Sequence, residues 1–244
     1  MNEAGAGHPV VIEPLGDHAV LIGLGDEIQE SVHGRVKAVC DMLDRSSIPG
    51  VVEWVPAFTS VAVVYDPLVT ACSVLIDHLR RVLADLPSLD VLGGRIVDIP
   101  VCYGGPFGPD LHEVARRCGL SEAEVIRLHS EPLYRVYMVG FVPGFPYLGG
   151  LPKRLAAPRK RQPRTQVPEG SVGIAGEQTG IYSLSTPGGW QIIGRTPVKL
   201  FDPTVNPPSY LQMGDRVRFC PISEETYHNL YEAAHDEAAR GRPM

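Results

Sequence analysis

The stretch from residue 167 to residue 197 holds residue types that suit the binding of a small molecule. Its repeated glycines let the backbone approach a ligand closely. Trp190 offers a face for stacking, and Arg195 offers a planar fork that pairs with a phosphate or a carboxylate. Four more side chains offer directional hydrogen bonds, namely Gln178, Thr179, Tyr182 and Gln191. A tightly turned barrel with Trp190 in its core explains the same residues, so both interpretations stay open.

Residues 140–152 combine four glycines, three prolines and three aromatic residues, which is typical of a stiff loop. We expect this loop to be preformed and to present Phe141, Phe145 and Tyr147 as one wall of a ligand site. The alternative is a barrel corner whose aromatic rings pack inward. Composition alone does not separate the two.

Residues 153–164 form a local positive field, with six basic residues and no acidic one in a chain of net charge −6. Such a field suits a phosphate, a carboxylate or the acidic surface of a partner. Arg164, next to the glycine-rich stretch, is the candidate for a ligand contact. Arg159, Lys160 and Arg161 are expected to form a solvated surface, because runs of charge usually do.

Few residues are candidates for acid–base chemistry. His129 is a catalytic candidate beside Arg195 and Arg164, although a histidine that closes a helix through hydrogen bonds is the favoured interpretation. Asp110 is expected to cap a helix first and to act as a general base second. The chain has no GxxxxGK(S/T), GxGxxG, GxSxG or HExxH motif, and its cysteines and histidines lack metal-ligand spacing. We therefore predict no metal site and no nucleotide site of those classes.

The composition describes an ordinary globular chain of 244 residues, 44% hydrophobic and 20% charged. Its net charge of −6 argues against a general nucleic-acid binder or a protein of anionic membrane surfaces. No apolar run is long enough to span a bilayer, and the first residues lack the features of a signal peptide. We expect a cytoplasmic protein whose five cysteines are reduced.

Hydrophobic periodicity predicts the elements that must position these residues. The first part of the chain alternates between periods of two and of about 3.6 residues, in the order β-β-α-β-β-α. The predicted strands are residues 10–15, 19–23, 51–56 and 60–65, and the predicted helices are residues 28–46 and 68–86. Two helices on one face of an antiparallel sheet would bury the apolar residues. Gly93 and Gly94 then break the pattern, so a domain boundary is expected near residue 92.

The second part of the chain is predicted to consist mostly of short strands. Two short helices are expected at 111–118 and 121–128, the second opening with the capping-box pair Ser121 and Glu124. Eleven glycines within residues 140–194 exclude long helices there, and strands joined by tight turns predict a closed or nearly closed β-barrel. The predicted strands are 95–103, 172–175, 191–193, 198–201 and 216–220, followed by a helix at 224–240 that docks on the barrel through Tyr227, Leu230, Tyr231 and Ala234.

Four motifs together give the chain a specific resemblance to a known family. They are YGGPFGPDL at 103–111, GFVPGFPYLGGLP at 140–152, VPEGSVGIAGEQTGIY at 167–182 and PGGWQIIGRTP at 187–197. The chain resembles the allophanate hydrolase subunit 1 family over residues 10–222. That family is now largely assigned as the B subunit of bacterial ATP-dependent 5-oxoprolinase, and it includes the kinase inhibitor KipI. The resemblance implies an α+β fold with a ferredoxin-like domain followed by a cyclophilin-like β-barrel. The pattern of the sequence places these domains at 1–92 and 93–222 and adds a C-terminal helix and tail at 223–244.

The resemblance also implies an activity. True allophanate hydrolysis uses a Ser-Ser-Lys amidase site, which this chain lacks. The implied role is a non-autonomous subunit of a heteromeric 5-oxoprolinase, with ATP as its cofactor, bound as Mg-ATP and shared with a partner subunit. Phosphorylation of the amide oxygen would drive the opening of an unstrained lactam, a step that needs cationic and backbone donors. Arg164 and Arg195 would supply the donors, while Gln178, Thr179 and Gln191 would orient the lactam.

Two protein partners are implied. One is a second barrel protein of the type of the 5-oxoprolinase C subunit or allophanate hydrolase subunit 2, and the other is a metal-dependent subunit that opens the ring. A chain with anion-binding groups and no evident nucleophile–base pair is expected to be inactive alone. The alternative is a KipI-like inhibitor that docks on a sensor histidine kinase. A prolyl isomerase, which the barrel suggests, is disfavoured because the segments of active cyclophilins are not recognisable in the chain.

Overall fold

A computed structural model of the chain describes residues 8–84, 86 and 94–240. The chain divides into two units, residues 1–93 and 94–244. The boundary predicted near residue 92 lies outside the described residues. The predicted α+β class is confirmed, because helices accompany a separate sheet in the first unit and a closed barrel in the second.

The first unit contains a four-stranded antiparallel sheet with two helices. Its strands are β1 (Val11–Pro14), β2 (Ala19–Gly23), β3 (Val51–Pro56) and β4 (Ser60–Tyr65), and its helices are α1 (Glu30–Arg45) and α2 (Cys72–Val82). The strand order is β1-β2-β4-β3, so β4 lies between the two strands that α1 connects. This split β-α-β arrangement is the ferredoxin-like pattern. Alternate residues bury the apolar face of the sheet, among them Val20, Ile22, Val61 and Val63.

Helix α2 is shorter than the predicted span 68–86, because a turn held by Asp66 precedes it. The Asp66 side chain accepts a hydrogen bond from the Leu68 amide at 2.9 Å, and its carbonyl accepts one from the Thr70 amide at 3.1 Å. Asp side chains favour such turns over the first turn of a helix. Leu68, which the periodicity assigns to the helix, is therefore exposed.

The second unit contains nine strands, three α-helices and one short 3-10 helix (Lys153–Leu155) within the described residues. The strands are β5 (Ile96–Tyr103), β6 (Leu133–Val139), β7 (Pro146–Gly149), β8 (Arg164–Val167), β9 (Ser171–Ala175), β10 (Gln178–Ile181), β11 (Thr186–Gly188), β12 (Gln191–Arg195) and β13 (Arg216–Pro221). The helices are α3 (Leu111–Cys118), α4 (Glu122–Ser130) and α5 (Glu224–Arg240). The predicted capping box is confirmed: the Glu124 amide donates to Ser121 Oγ at 3.2 Å, and the Ser121 amide donates to Glu124 Oε2 at 2.8 Å.

Seven of these strands close into a barrel in the order β10-β7-β6-β13-β5-β12-β9. A ring with an odd number of strands cannot alternate in direction all the way round, so one neighbouring pair must be parallel. That pair is β5 and β13, in register from Ile96 opposite Arg216 to Val101 opposite Pro221. The last strand of the barrel therefore lies beside its first.

The prediction of barrel strands was incomplete. Strand β6 was missed, although its sequence LYRVYMV is rich in residues that favour strands. The predicted strand 198–201 is wrong, since Phe201 makes only an isolated bridge with Ser209. Leu200 is buried in the core, and Val198 packs partly buried against it. The apolar side chains of Val198 and Leu200 alternate with polar ones because an irregular segment is buried there, not because the segment pairs as a strand.

An ion cluster around Asp110 ties the start of α3 to the basic segment. Asp110 occupies the N-cap position, but its side chain makes no capping hydrogen bond, so the predicted capping role is wrong. Its Oδ1 accepts hydrogen bonds from Lys160 Nζ at 2.7 Å and Arg164 Nη2 at 2.8 Å, and its Oδ2 accepts one from the Ile192 amide at 2.7 Å. Lys160, expected to be solvated, is therefore an ion-pair partner.

The electrostatics of Asp110 follow from this arrangement. The residue is only 4% exposed, and burial alone would raise the pKa of its carboxyl group. The hydrogen bonds from Arg164, Lys160 and Ile192 outweigh the effect of burial and hold the pKa below its ordinary value. Asp110 therefore stays ionised and paired.

A chain of hydrogen bonds crosses the barrel interior. Thr179 Oγ1 donates to the Gly173 carbonyl at 3.0 Å, so it must accept from His129 Nε2, which lies 2.9 Å away. His129 Nδ1 then accepts from the Tyr103 hydroxyl at 2.8 Å. Burial lowers the pKa of His129 to about 3, so the imidazole is neutral, with its proton on Nε2.

The Asp110 cluster predicts a large effect of Asp110→Asn on stability. The amide can still accept from Ile192, but Lys160 and Arg164 lose their counter-charge in a partly buried site. We expect the free energy of unfolding to fall by about 3 kcal/mol, as when one partner of a buried ion pair is removed. Urea denaturation measures this change in the free energy of unfolding. Glu113→Gln, on the same helix and paired with Arg116 and Arg117 at the surface, should cost much less. Equal losses would contradict this account.

His129 predicts a specific loss of stability in mild acid. An unfolded histidine takes up a proton below its ordinary pKa of about 6.5, whereas buried His129 stays neutral until about pH 3. The free energy of unfolding should therefore decline as the pH falls from about 6.5 to 5, with a slope of up to about 1.4 kcal/mol per pH unit. Chemical denaturation should show a flatter dependence for His129→Gln. Exposed His112 provides the control, and His112→Gln should keep the wild-type slope. Identical slopes for wild type and His129→Gln would rule out this origin.

Candidate functional site

The predicted aromatic residues meet in one cluster on the barrel. Phe145, Tyr182 and Trp190 are buried, and Tyr147 packs against them half-buried. The Phe145 ring contacts the other three edge to face, with centroids 4.9 Å from Tyr147, 5.3 Å from Tyr182 and 5.4 Å from Trp190. Three of the four predicted ligand contacts thus form a small core, and Tyr147 is the member that reaches the surface.

The loop before this cluster holds an aromatic side chain in solvent. Phe141 has φ 67°, and the Val142 amide donates to the Gly140 carbonyl across it at 2.8 Å. This tight three-residue turn is strained for a residue that has a Cβ. A second hydrogen bond, from the Gly140 amide to the Phe145 carbonyl at 3.0 Å, closes the loop. Phe141 is 62% exposed and its ring rests edge-on against Phe145, 5.6 Å between centroids.

Arg159 adds a positive charge next to the aromatic cluster. Burial raises the pKa of Tyr147 and Tyr182, and the charge of Arg159 opposes that rise for both phenols. Arg159 is exposed and forms no ion pair with any residue that the structure describes. We call Phe141, Tyr147 and Arg159 the aromatic–basic face.

Arg164 and Gln191 lie beneath this face and are less available. Arg164 is held by Asp110, and Gln191 Nε2 donates to the Pro158 carbonyl at 2.9 Å. Arg164 Nη1 and Gln191 Oε1 are buried without a hydrogen-bond partner. These two atoms keep hydrogen-bonding capacity, but neither is accessible from the surface in this conformation.

Arg195 lies at the opposite end of β12 and lines a separate cavity of about 190 Å³. Four residue steps separate it from Gln191, a distance of about 13 Å along a strand. Arg195 Nε donates to the Glu169 carbonyl at 2.7 Å. The other lining residues of this Arg195 cavity are Glu169, Gly170, Thr196, Pro197, Val198, Lys199, Tyr227, Tyr231 and Ala234.

Strand pairing explains why α5 reaches this cavity. Arg195 pairs with Cys102 on β5, and the end of β13 pairs with the neighbouring Val101. Helix α5 begins three residues after β13, so its first turn starts beside Arg195. Tyr227 is buried there against Phe107, with ring centroids 4.6 Å apart, whereas Leu230 stays exposed and does not dock as expected.

The structure therefore divides the predicted site into three places. The aromatic cluster, Arg164 and Gln191 lie together at one end of β12, and Arg195 lies at the other. His129 and Thr179 are fully buried in the barrel with their polar atoms bonded to one another and to protein groups. Gln178 lies half-buried at the start of β10. The sequence reasoning missed Arg159, Glu169 and Tyr227 as site residues, and only the aromatic spacing of α5 signalled the last of them.

None of the described helices is both long and apolar enough to cross a membrane. All five cysteines are free thiols.

Comparison with known proteins identifies the family. Residues 10–211 match the family described as carboxyltransferase domain, subdomain C and D. The chain is 51% identical over 231 residues to the 5-oxoprolinase B subunit of Bacillus subtilis (strain 168), covering 91% of this chain and 96% of that protein. It is 43% identical over 210 residues to the 5-oxoprolinase B subunit of Escherichia coli O157:H7, covering 86% of this chain and 95% of that protein.

Among solved structures, the crystal structure of TTHA0988 matches with a TM-score of 0.74 and 40% identity. The match covers 84% of this chain and only 40% of the longer TTHA0988 chain. These findings confirm the resemblance seen in the sequence motifs. The chain belongs to the carboxyltransferase domain, subdomain C and D family and, within it, to the group of proteins named as B subunits of 5-oxoprolinase.

Proposed function

We propose that this chain is a non-autonomous subunit of a heteromeric, ATP-dependent 5-oxoprolinase, in which it binds and orients the cyclic amide. One observation carries the proposal beyond the family assignment. Both candidate bases, His129 and Asp110, are committed to internal hydrogen bonds, while the cationic donors of Arg159 and Arg195 are not ion-paired within the described residues.

The two bases are poorly suited to proton transfer. His129 is buried with both ring nitrogens bonded, and its pKa of about 3 keeps it neutral. Asp110 shares its oxygens among three donors. A general base must reach the proton that it abstracts, and neither residue does so without breaking these contacts. Free guanidinium groups, in contrast, suit the binding of carboxylates and the stabilisation of developing negative charge.

We further propose that a second barrel protein, of the type of the 5-oxoprolinase C subunit, docks on the aromatic–basic face. Exposed aromatic residues and arginines are the usual anchors of protein interfaces, and the strained turn at Phe141 holds such an anchor ready. The unpaired charge of Arg159 favours an acidic partner surface. A third subunit would open the ring.

The Arg195 cavity does not fit a whole nucleotide. Its volume of about 190 Å³ is below the roughly 300–1,000 Å³ typical of pockets for drug-sized ligands. We therefore propose that ATP, as Mg-ATP, is held mainly by the partner subunit and that this chain contributes the site for the small acid. We assign the complex to the cytoplasm, a compartment that suits five free thiols.

Reconstitution tests the subunit role. This chain alone, the second barrel protein alone and the two together are assayed for ADP release with and without 5-oxoproline. We expect substrate-dependent release only from the mixture, because this chain lacks an available base. Substrate-dependent release from this chain by itself would refute the proposal. Failure of the two proteins to co-purify at micromolar concentration would instead favour the KipI-like kinase inhibitor.

Variants of the aromatic–basic face test the docking surface. Phe141→Gly should keep or raise the melting temperature, because glycine accepts the positive φ, yet it should weaken association with the partner by at least about tenfold. Arg159→Glu should weaken association similarly, and Arg161→Glu, which is exposed on the same segment but does not act on the Tyr147 and Tyr182 phenols, should do so less. Titration calorimetry measures all three. Unchanged affinity for Phe141→Gly and Arg159→Glu would exclude this surface.

A further inference from the structure

We infer that the Arg195 cavity binds a small acid that carries both a carboxylate and an N–H donor, and that Tyr227 of α5 completes the site. The inference rests on the proposed function where it equates this ligand with the cyclic amide. Binding itself is a property of the cavity and is measurable without turnover.

The guanidinium group of Arg195 is the proposed partner of the ligand's carboxylate. Its Nε is anchored on the Glu169 carbonyl, which orients the guanidinium plane and leaves the two terminal nitrogens without a partner among the described residues. Two parallel N–H donors match the two oxygens of a carboxylate. Lys199 lines the same cavity but is paired with Asp202 at 2.8 Å, so Arg195 is the cation left for a ligand.

The carboxylate of Glu169 is the proposed acceptor for the ligand's N–H group. Glu169 lines the cavity, its charge acts on the Tyr227 hydroxyl, and its carboxylate forms no ion pair within 4 Å in the part of the chain that the structure describes. A carboxylate and a guanidinium thus line one cavity without neutralising each other. Such a pair selects ligands that offer a negative group and a donor together, and it disfavours phosphate, which would approach Glu169 with like charge.

Tyr227 lines the same cavity as these two charged residues. Burial raises the pKa of its phenol, Arg195 opposes the rise and Glu169 adds to it, so both charges act on the same hydroxyl group. Tyr227 is only 3% exposed, yet its hydroxyl is not among the buried polar atoms that lack a hydrogen-bond partner, and no described residue bonds to it. The hydroxyl is therefore accessible to a ligand or to water. It is suitably placed to donate to a carbonyl oxygen.

Backbone hydrogen bonds fix the positions of Glu169 and Arg195 in the cavity wall. Gly170 has φ 79°, and a Cβ on it would lie 2.3 Å from the Thr196 carbonyl oxygen. The Thr196 amide donates to the Gly170 carbonyl at 2.9 Å, and the Gly170 amide donates to the Tyr182 carbonyl at 2.7 Å. Glu169 and Arg195 are therefore held on neighbouring backbone segments by direct hydrogen bonds, and only glycine fits between them.

The ligand class that satisfies all three groups is a compact cyclic amide with a carboxylate. Its carboxylate would pair with Arg195, its amide N–H would donate to Glu169 and its carbonyl would accept from Tyr227. An amino acid such as the ring-opened product shares the carboxylate and an N–H donor, but it lacks the ring carbonyl. The cavity volume of about 190 Å³ suits molecules of this size.

Calorimetry on the full chain tests the site with four probes: 5-oxoproline, cyclopentanecarboxylate, 2-pyrrolidinone and inorganic phosphate. We expect 5-oxoproline to bind with a dissociation constant below about 1 mM and the two fragments at least about tenfold more weakly, since each lacks a recognised group. Phosphate should neither bind nor compete. Equal binding of cyclopentanecarboxylate and 5-oxoproline, or displacement by phosphate, would overturn the inference in favour of a general anion site.

Variants separate the contact to the carboxylate of the ligand from the contacts to its amide. Arg195→Lys should weaken 5-oxoproline and cyclopentanecarboxylate by at least about tenfold and leave 2-pyrrolidinone unchanged. Glu169→Gln and Tyr227→Phe should each weaken the two probes that contain the amide, 5-oxoproline and 2-pyrrolidinone, and leave cyclopentanecarboxylate unchanged. Such selective losses cannot come from unfolding. Arg127→Gln, which breaks a surface pair on α4, is the matched control and should bind all probes normally. Losses that are uniform across the probes would overturn the assignment.

The same variants separate this inference from the proposed function. If the reconstituted enzyme turns over 5-oxoproline and Arg195→Lys leaves its KM unchanged, the site assignment fails while the function stands. If 5-oxoproline binds with the expected selectivity but no partner yields ADP release, the site stands while the proposed function fails.

Discussion

Closure of a seven-stranded ring is the constraint on which the second unit depends. An odd ring requires one parallel pair, and here the pair joins β5, the first strand of the unit, to β13, the last. Strand β5 also pairs with β12, so the end of β13 and Arg195 become neighbours through β5. Helix α5 must start from that point. The position of Tyr227 beside Arg195 is thus a consequence of strand parity and register.

The distribution of charge follows a second rule, that a buried carboxylate needs partners. Asp110 recruits Lys160 and Arg164 from the basic segment, which leaves Arg159 as the charge beside the aromatic cluster. The positive field predicted for residues 153–164 is therefore partly used inside the protein to hold the segment in place. The other four basic residues of the segment, Lys153, Arg154, Arg159 and Arg161, stay exposed, so the field at the surface is smaller than a count of basic residues indicates.

The barrel interior shows why a histidine near glycine-rich segments is a weak sign of catalysis. His129 stacks on Phe219 with centroids 4.6 Å apart and bonds through both nitrogens, and the buried hydroxyls of Tyr103 and Thr179 satisfy it. A neutral imidazole of this kind specifies the packing of the core. The polar chemistry available to ligands lies instead at the two ends of β12, where the strand leaves the barrel and backbone and side-chain groups meet solvent.

Most local elements and the family could be predicted from the amino-acid sequence. Both hairpins of the first unit, the helices α1, α3, α4 and α5 and the capping box at Ser121 follow from periodicity and capping chemistry, which act over a few residues. The family resemblance rests on four motifs in a fixed order. The groups of the proposed site come together only in the folded chain, because their contacts join residues far apart in the sequence. Asp110 meets Lys160 across 50 residues, and Arg195 meets Tyr227 through the pairing of β5 with β12 and β13. Conversely, Gln191 and Arg195 are near in sequence but point to different ends of the barrel, since a strand extends by about 3.3 Å per residue.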